Sequence, residues 1–506
     1  MPVDPTGALP VRPSAPAPRA LADLLARVPQ LVPSRPLEGL VVTGCTHDSR
    51  AVQPGDLYAA LPGSRVHGAD FVDAAVAAGA VAVLTDPAGA QRCTAYDVVL
   101  LVTDDPRSVL GDVAAWVHGD PAKDLLLLGV TGTNGKTTTA FFLDAGLRAA
   151  GHTTGLLGTV ETRVGDLVVP SVRTTPEAPD LQGLLAVMRE RGVTAVSMEV
   201  SSHALALGRV DGVRFDTAVF TNLSQDHLDF HASMEDYEAA KAELFTPRRA
   251  TRGVVNVDDR AGERIAAAGD LPVSRLGAEG EWRVVDVDLR GDGSSFRLLG
   301  PDVDQPASVR LPGAFNVTNA AGALVALAVS GVDLAAAAEG VAALPGVPGR
   351  MERVDAGQRF LAVVDYAHTP DAVTTLLRSV RAVTPGRVIV VLGCGGDRDR
   401  GKRPLMGRAA ADGADVAVFT SDNPRSEDPL LVLHDMTIDL DADLEGIVVE
   451  PDRRAAIALA VAQAMPGDAV VVAGKGHESG QDVRGVVTPF DDRLVLREAL
   501  ASVVTR

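Results

Sequence analysis

The chain has 506 residues, of which 46% are hydrophobic and 22% charged, and this balance is typical of a globular protein of about three domains. The formal net charge of −19 and an aromatic content of 4% argue against nucleic acid or an anionic membrane surface as a partner. The three cysteines lack disulfide or metal-ligand spacing, the N-terminus lacks a secretory signal pattern, and no apolar run reaches the ~18 residues of a membrane span, so we expect a cytoplasmic protein.

The N-terminal part of the chain predicts a tail followed by a small α/β domain. Residues 1–20 are rich in proline and alanine, a composition typical of disorder. Apolar runs at 40–43, 81–84 and 98–102 predict short strands, and the alanine-rich residues 70–78 predict a helix. We therefore expect a domain of mixed structure over residues 21–120.

The segment 125–139 carries the strongest functional signal. An apolar strand at 125–130 is followed by Gly132, Thr133, Asn134, Gly135, Lys136 and Thr137 and then by a predicted helix. Glycines let backbone N–H groups face phosphate oxygens, and the helix N-terminus adds partial positive charge. Lys136 is the expected partner of the β- and γ-phosphates, and Thr137 that of Mg²⁺. Val130 stands where the standard P-loop has its first glycine, so the loop is a variant.

The rest of residues 121–345 predicts a mainly parallel sheet with helices on both faces, because apolar runs at 195–200, 217–221 and 253–256 alternate with helical patterns. Glu199 ends the first of these strands and is a candidate Mg²⁺ ligand. His227 follows the second and is a candidate ligand of a second Mg²⁺. Lys241 shares a helical face with Tyr237 and Phe245, which indicates either a lysine that reaches the surface or a desolvated amine with a lowered pKa.

After a turn-rich linker at 344–350, residues 346–506 predict a doubly wound α/β domain. Strands at 361–365, 387–392, 415–420 and 468–473 each end in a polar, glycine-rich loop, and such loops meet at one edge of a parallel sheet. Arg398 and Arg425 suit a carboxylate, whereas Asp422 and Glu478 suit an ammonium group. Each loop alone reads as a solvated turn, but together they predict a site for a zwitterion.

A series of motifs resembles those of the Mur ligase family in the family's order: TGTNGKTTT, MEVSSH, DHLDFH, GRMERV, DYAHTP, GCGGDRDRGKRP and DNPR. The resemblance covers nearly the whole chain, from Thr46 to Glu478. It implies an ATP-dependent, amide-forming enzyme of peptidoglycan precursor synthesis that acts as a monomer in the cytoplasm on small-molecule substrates. It also implies a UDP-sugar-binding domain at 21–120, a central P-loop ATPase domain at 121–345 and a Rossmann-like amino-acid-binding domain at 346–506.

The resemblance also implies roles for individual residues. The set expected to bind ATP is Gly132, Thr133, Asn134, Gly135, Lys136, Thr137, Thr138, Asn316, Asn319, Arg350 and Asp365, with Arg353 near the phosphates. The set expected to bind the UDP-muramoyl-dipeptide is Ser49, the loop 64–67, Thr174, Thr175, Ser201 and Arg209. The set expected to bind the amino acid is Arg398, Asp422, Asn423, Pro424, Arg425, Gly474 and Glu478. Lys136, Lys241, His227 and Glu199 are the expected catalytic residues. Thr137, Glu199, His227 and a carbamylated Lys241 are the expected metal ligands.

The DNPR motif resembles the diaminopimelate-adding branch of the family rather than the lysine-adding one. Lysine lacks the distal carboxylate, so it would leave Arg425 buried and unpaired. A site of this kind can lower kcat/KM for such an analogue by a factor of up to ~10⁴–10⁵. Leu207 departs from the glutamine that the family often has. His203 is either the base for the incoming ammonium group or a structural residue.

The resemblance implies that the D-glutamyl γ-carboxylate attacks the ATP γ-phosphate and that diaminopimelate then attacks the acyl-phosphate. Closure of the C-terminal domain about residues 344–350 would assemble the three sites. Three alternatives remain: the lysine-adding ligase, folylpolyglutamate synthase and a nucleotide-dependent binding protein without turnover.

Overall fold

The computed structural model describes residues 12–269, 271–441 and 445–504. Residues 1–11 of the predicted tail lie outside this part of the chain. The next residues of that segment make defined contacts: Arg12 Nη1 lies 2.6 Å from Asp56 Oδ1, and Arg19–Ala20 pairs with Val41–Val42. The prediction of disorder is therefore wrong for Arg12, Arg19 and Ala20, which make these contacts with the N-terminal domain.

The N-terminal domain is built on a five-stranded sheet of order β2-β7-β6-β5-β4, parallel except for β2, with β1 and β3 paired beside it. Its strands are β1 (Arg19–Ala20), β2 (Val32–Pro33), β3 (Val41–Val42), β4 (Gly44–Thr46), β5 (Asp56–Ala59), β6 (Ala82–Thr85) and β7 (Val99–Val102). Its helices are α1 (Leu24–Arg27), α2 (Val72–Ala77), α3 (Pro87–Arg92) and α4 (Pro106–Val117). Asp105 begins α4 by accepting two backbone N–H bonds, with Pro106 at the first helical position.

The central domain contains an eight-stranded sheet of order β11-β10-β9-β12-β8-β13-β14-β15, in which β10 runs antiparallel to both of its neighbours and the other pairs are parallel, and a separate antiparallel sheet of β16, β17 and β18. Its strands are β8 (Leu126–Thr131), β9 (Thr154–Leu157), β10 (Glu161–Val164), β11 (Leu167–Pro170), β12 (Ala195–Glu199), β13 (Phe215–Phe220), β14 (Ala250–Asn256), β15 (Val273–Leu276), β16 (Arg283–Arg290), β17 (Gly293–Gly300) and β18 (Val303–Val309). Its helices are α5 (Lys136–Ala149), α6 (Ala178–Glu190), α7 (Ser202–Ala206), α8 (Met234–Ala242), α9 (Arg260–Ala267), α10 (Ala314–Val329) and α11 (Leu334–Ala343).

Alternation along β8 divides the core of the central domain into two layers. Leu128 and Val130 pack with α5, α10 and α11 on one face of the sheet, whereas Leu127 packs with α6 on the other. Both faces of β8 are therefore buried, as expected for a parallel strand that reads as a continuous apolar run. This arrangement fixes the carboxyl end of β8, where the phosphate-loop sequence begins, at the middle of the sheet.

The C-terminal domain contains a six-stranded sheet of order β19-β20-β24-β21-β22-β23, parallel except for β19, and a hairpin of β25 and β26. Its strands are β19 (Glu352–Arg353), β20 (Leu361–Asp365), β21 (Val388–Leu392), β22 (Val416–Phe419), β23 (Ile447–Val449), β24 (Ala469–Ala473), β25 (Gly480–Val483) and β26 (Val486–Pro489). Its helices are α12 (Pro370–Arg381), α13 (Lys402–Gly413), α14 (Pro429–Thr437), α15 (Arg453–Gln463) and α16 (Asp492–Val504).

Helices cover both faces of this last sheet, with α12, α13 and α14 on one and α15 and α16 on the other. The predicted three-part α/β architecture, with a mainly parallel central sheet and a doubly wound C-terminal sheet, is confirmed. Among the helices of the described ranges, none is both long enough and apolar enough to cross a membrane.

Candidate active site

The loop between β8 and α5 has a shape that only glycine permits at two positions. Gly132 and Gly135 have positive φ angles of 148° and 88°. A Cβ atom at Gly132 would lie 1.9 Å from Thr221 Oγ1, and one at Gly135 would lie 2.4 Å from Asn319 Oδ1. Since any side chain would collide there, the loop keeps its backbone close to β13 and α10. It leads directly into the N-terminus of α5, the position at which helices bind phosphate.

Two lysines converge on one carbonyl group of this loop. Lys136 Nζ donates to the carbonyl oxygens of Gly132 and Thr133, both at 2.9 Å, and Lys241 Nζ donates to that of Gly132 at 2.8 Å. The Lys241 residue is 1% exposed, and its Nζ lies 4.3 Å from the centroid of the Tyr237 ring. The interpretation of Lys241 as a surface lysine is therefore wrong. Burial lowers the pKa of Lys136, and burial together with the charge of Lys136 lowers the pKa of Lys241 well below its ordinary value.

Glu199, at the end of β12, is held by hydroxyl and amide donors from two sides. Its Oε2 accepts hydrogen bonds from Thr137 Oγ1 at 3.0 Å and from Thr159 Oγ1 at 3.1 Å. Its Oε1 accepts one from the backbone N–H of Thr159 at 2.7 Å. Thr159 Oγ1 also lies 3.0 Å from Thr174 Oγ1, so this threonine connects the phosphate side of the site to the threonines expected to contact the peptide. The sequence analysis missed Thr159, because only the pairing of β9 with β12 brings it beside Glu199.

The hydroxyl oxygen of Thr137 and the carboxylate oxygens of Glu199 are suitable ligands for Mg²⁺ that is bound together with a nucleotide. Mg²⁺ in nucleotide sites is usually held through one or two carboxylates, with phosphates and water completing its coordination. Within the described ranges, no three His, Cys, Asp or Glu side chains are grouped so as to hold a metal ion. A cation site here consequently needs phosphate oxygens, and an all-protein metal cage does not fit.

His227 lies across the same cavity on the loop after β13, with a left-handed backbone (φ 54°). Its Nε2 lies 3.4 Å from Asp226 Oδ2, and its ring centroid lies 4.8 Å from that of His203. Burial lowers the pKa of His227 to about 4 against the opposing charge of Asp226, and burial also lowers the pKa of His203. Both rings are therefore neutral at physiological pH, the form in which imidazole binds metals or accepts a proton.

These groups line a cavity of about 630 Å³ between the central and C-terminal domains. Arg350, from the linker, donates from Nη2 to Thr137 Oγ1 at 3.2 Å and lies 4.4 Å from the centroid of the Tyr366 ring. Asp365 lines the C-terminal wall, where its carboxylate accepts the N–H groups of Met351 at 2.7 Å and Ala367 at 2.8 Å. Burial raises the pKa of Asp365. Many of the predicted site residues line this cavity: Thr133, Asn134, Gly135, Lys136, Thr137, Thr138, Thr174, Thr175, Glu199, Ser201, Arg209, His227, Lys241, Asn319, Arg350 and Asp365.

The part of the cavity expected to hold the peptide is organised around Thr175. Its Oγ1 donates to the Glu199 carbonyl oxygen at 3.0 Å and accepts the backbone N–H of Ser201 at 3.1 Å. Arg209 lies on the same wall, with its Nε 2.8 Å from Glu177 Oε1. Leu207, at the position of the family's glutamine, is outside the cavity lining.

Several predicted residues are not brought to this cavity. Asn316 is 1% exposed and donates from Nδ2 to the Pro312 carbonyl oxygen at 2.8 Å, so only Asn319 of the predicted pair faces the cavity. Arg353, on β19, is exposed and pairs with Asp355 at 2.8 Å.

The predicted sugar-side residues lie in the N-terminal domain, also outside the cavity. Ser49 opens a short 3₁₀ helix, Ser49–Ala51, that follows β4. In the loop 64–67, the His67 side chain is hydrogen-bonded within the N-terminal domain. Its Nδ1 accepts the Ala69 N–H, and its Nε2 lies 3.0 Å from Asp86 Oδ1. Their roles in UDP binding stay predictions.

The predicted amino-acid residues form a second cluster beyond the cavity, where β20, β24, β21 and β22 end side by side. Asn423 Nδ2 donates to Glu478 Oε2 at 2.8 Å. A Cβ atom at Gly395 would lie 2.8 Å from Arg425 Nη1 and 3.8 Å from Arg398 Cγ, so both arginines pass close to this glycine. The remaining members of the predicted set lie in the same loops: Asp422, Pro424 and Gly474.

A charged network supports the loops that carry the two arginines. Arg403 on α13 is fully buried and donates to Glu427 Oε1 at 2.8 Å and to Asp435 Oδ2 at 2.9 Å. Glu427 Oε1 also accepts the backbone N–H of Asp397 at 2.6 Å. Hydrogen bonding to Arg403 and to this N–H lowers the pKa of Glu427 to about 2. The network joins the loop after β21, which carries Arg398, to the loop after β22, which carries Arg425.

Tyr366 lies between the cavity and the second cluster. Its ring centroid is 4.7 Å from that of His368 and 5.2 Å from that of His477, in the loop after β24. Burial, assisted by the charge of Glu478, raises the pKa of Tyr366 to about 12, which keeps the phenol protonated. The sequence analysis quoted the DYAHTP motif but gave a role only to Asp365.

Three family models match the chain: "Mur ligase family, catalytic domain" over residues 41–117, "Mur ligase middle domain" over 130–327 and "Mur ligase, glutamate ligase domain" over 349–476. A protein of Streptomyces avermitilis, described as UDP-N-acetylmuramoyl-L-alanyl-D-glutamate–2,6-diaminopimelate ligase, is 57% identical over 97% of this chain and 98% of its own length. One of Streptomyces coelicolor with the same description is 58% identical over 97% of each chain. The chain belongs to the Mur ligase family.

A solved structure of this family, with the same description, superposes with a TM-score of 0.67 at 34% identity and covers 93% of this chain and 97% of its own. The predicted family and the predicted class of ATP-dependent ligase are confirmed. Each range matched by a Mur ligase model lies within one of the three predicted domains, whose limits stay predictions. The assignment of individual residues to substrates also stays a prediction.

Proposed function

We propose that this protein joins meso-2,6-diaminopimelate to the D-glutamyl γ-carboxylate of UDP-N-acetylmuramoyl-L-alanyl-D-glutamate, with ATP, in peptidoglycan precursor synthesis. The names of the two Streptomyces relatives support these substrates. The observation that carries the choice of amino acid is the cluster at the C-terminal sheet edge, where Arg398 and Arg425 approach Gly395 beside the Asn423–Glu478 pair. Guanidinium groups match a carboxylate and Glu478 matches an ammonium group, and diaminopimelate carries both at its distal end.

The phosphate loop is the proposed site of the ATP triphosphate. Lys136 would exchange its hydrogen bonds to the loop carbonyl groups for bonds to the β- and γ-phosphates, and backbone N–H groups at the start of α5 would face the same anion. Arg350 contacts Thr137 from the linker, which supports its proposed role as a second ligand of the same phosphates. Mg²⁺, held by Thr137 and Glu199 together with ATP, would supply charge screening between two anionic reactants.

A second Mg²⁺ is proposed near His227 and Lys241. Carbamylation requires a neutral amine, and burial beside Lys136 lowers the pKa of Lys241 in the required direction. The modification turns a cation into a carboxylate-like ligand. His227 is neutral and faces the same cavity, so its imidazole is available as a ligand.

In the proposed reaction, an oxygen of the γ-carboxylate attacks the γ-phosphorus of ATP, and ADP departs. Thr174, Thr175, Ser201 and Arg209 would hold the peptide so that this carboxylate faces the phosphate loop. The neutral amine of diaminopimelate then attacks the acyl carbon, inorganic phosphate departs, and an amide remains. His203 lines the cavity as a neutral ring and is the candidate acceptor of the amine proton.

The test is phosphate release with UDP-muramoyl-dipeptide, ATP and, separately, diaminopimelate, lysine or ornithine. We expect release to depend on both substrates and to be fastest with diaminopimelate. A preference for lysine would assign the protein to the lysine-adding branch, and a requirement for a folate in place of the UDP-sugar would assign it to folylpolyglutamate synthases. ATP binding without substrate-dependent release would indicate a binding protein. The monomeric state and the cytoplasmic location are part of the proposal.

A further inference from the structure

Lys475, two residues after β24, is a buried lysine without a role in the mechanism above. Its side chain is fully buried, although lysine is among the residues least often buried. A buried ammonium group is costly unless its three N–H groups are all paired. The partners of this lysine therefore indicate why the fold tolerates it.

All three N–H groups of Lys475 have acceptors, and two of these belong to the proposed amino-acid site. Lys475 Nζ donates to Glu478 Oε2 at 3.0 Å, to Asn423 Oδ1 at 3.2 Å and to the Gly480 carbonyl oxygen at 2.7 Å. The lysine thus ties the loop after β24 to the loop after β22 and to the first residue of β25.

These bonds fix the orientation of the Asn423 amide. Its Oδ1 accepts a second hydrogen bond, from the Asp482 N–H at 2.9 Å, so the oxygen faces two donors. The amide nitrogen must then point the other way, and it donates to Glu478 Oε2 at 2.8 Å. A rotated amide would place an NH₂ group against the ammonium of Lys475, which has no acceptor to offer.

The same hydrogen bonds involve one carboxylate oxygen of Glu478 and not the other. Oε2 accepts from both Lys475 and Asn423. In the part of the chain that the structure describes, no donor contacts Oε1. The Glu478 side chain is 32% exposed, so this remaining oxygen is open to a ligand.

We propose that Lys475 is a positioning residue for amino-acid recognition: it locks the Asn423–Glu478 pair so that Glu478 Oε1 accepts from the ammonium group of a zwitterionic substrate. This inference deepens the proposed function and rests on it. It assigns part of the affinity for the amino acid to a side chain that does not touch the substrate.

The first test is Lys475→Met, which keeps the length of the side chain and removes its charge and donors. We expect the KM for diaminopimelate to rise about 10- to 100-fold, the range for loss of a hydrogen bond to a charged group, while the KM for ATP and kcat change far less. Arg387→Met is the matched control, because it breaks an ion pair with Asp468 at the amino ends of β21 and β24, on the far side of the sheet from the amino-acid site. An equal rise in KM for the control would overturn the proposal, since loss of domain stability would then suffice.

A double-mutant cycle separates positioning from a purely structural role. If Lys475 acts through Glu478, then Lys475→Met in a Glu478→Ala background should raise the KM for diaminopimelate by less than about 3-fold. The same factor in both backgrounds would contradict the proposal. Lys475→Gln, which retains amide donors, supplies a second variant if Lys475→Met does not fold, and it should give a smaller rise in KM in the same direction.

The wild-type protein separates failure of this inference from failure of the proposed function. If the wild type does not use diaminopimelate, the proposed function fails before any variant is made. If the wild type uses it and Lys475→Met leaves its KM unchanged, only the role of Lys475 is refuted.

Discussion

The central and C-terminal domains both place polar loops at the carboxyl edge of a parallel sheet, but the basic side chains at these two edges have different partners. In the central domain, Lys136 and Lys241 both donate to Gly132, and burial lowers the pKa of each. In the C-terminal domain, Arg425 donates from Nη1 to the Gly396 carbonyl oxygen at 2.6 Å. Arg398 has no hydrogen-bond or ion-pair partner among the residues that the structure describes. At the central edge two lysines share one carbonyl group, whereas at the C-terminal edge Arg398 and Arg425 keep N–H groups available to a ligand.

We infer from this difference that the central domain carries out the phosphate chemistry and that the C-terminal domain selects the amino acid. In the proposed mechanism Lys136 binds the phosphates and Lys241, as a carbamate, holds a metal ion beside them, so the central edge should act on the phosphates whichever amine follows. Open guanidinium groups discriminate between ligands with and without a carboxylate. Substitutions in the central domain should therefore affect all amino acids equally, whereas those in the C-terminal domain should change which amino acid is used.

The largest effect is expected for Lys136→Met. Without a cation at the phosphate loop, kcat for phosphate release should fall on the order of 10³-fold, and by the same factor with diaminopimelate, lysine and ornithine. Lys123→Met is the control, because that lysine is 69% exposed and pairs with Asp120, away from the cavity. If the loss of kcat differed between amino acids, the central edge would also take part in selecting the amino acid, and the proposed division between the two edges would be wrong.

Lys241→Ala should lower kcat about 10²-fold, as expected when a metal ligand or its support is removed. If the lysine acts as a carbamate, acetate or propionate added in its place should restore part of the activity, equally for each amino acid. Lys123→Ala should show neither the loss nor the restoration. Full activity of Lys241→Ala, or a loss that no short-chain acid relieves, would remove the carbamate from the proposed mechanism.

Arg425→Met tests selection at the other edge. The KM for diaminopimelate should rise about 30- to 100-fold through loss of charge-assisted hydrogen bonds, while the weak activity with lysine should stay the same, so selectivity falls. Arg408→Met is a suitable control, because that arginine lies on the neighbouring helix α13 and is 47% exposed. Unchanged selectivity would assign the discrimination to another residue.

Much of the fold was predictable because its buried parallel strands read as uninterrupted apolar runs. The strands predicted at 361–365 and 468–473 correspond to Leu361–Asp365 and Ala469–Ala473, and their neighbours were found in the same way. The sheet of β16, β17 and β18 was missed because it is antiparallel and partly exposed, and its polar residues weaken the apolar signal. The antiparallel strands β10 and β11 escaped for the same reason.

The predictable part of the site is the part carried by local motifs. The sequence indicated Gly132–Lys136 as a phosphate loop, but it did not separate Asn316, which turns into the core, from Asn319, which faces the cavity. The burial of Lys475 was also beyond prediction, because Asn423 comes from a different strand and loop. Contacts between loops that are distant in the chain depend on sheet order, which no single motif encodes.

The smallest effect is expected for Glu427→Gln, which weakens the support beneath the selective edge without touching the ligand. Its pKa in the folded protein is about 2, against an ordinary value of 4.5, chiefly because Arg403 hydrogen-bonds to it. The ionised carboxylate therefore stabilises the fold fully above about pH 4.5, and this contribution is lost as the pH falls towards 2. We expect Glu427→Gln to lower the free energy of unfolding by about 2 kcal/mol at pH 7, and by progressively less below pH 4.5.

Urea unfolding of the wild type and of Glu427→Gln at pH 7, 5 and 3 measures the difference between their free energies of unfolding. Glu498→Gln is the control, because that carboxylate is 64% exposed on α16 and pairs with Arg454, so its removal should cost little at any of these pH values. A gap for Glu427→Gln that stays constant down to pH 3 would show that Arg403 does not hold the carboxylate in its charged form. The KM for diaminopimelate should rise only a few-fold, because Asp397 still accepts hydrogen bonds from the backbone N–H and the hydroxyl of Ser426, and these keep the arginine-bearing loops joined. A rise as large as that of Arg425→Met would mean that selection depends on the rigidity of these loops more than on the guanidinium groups they carry.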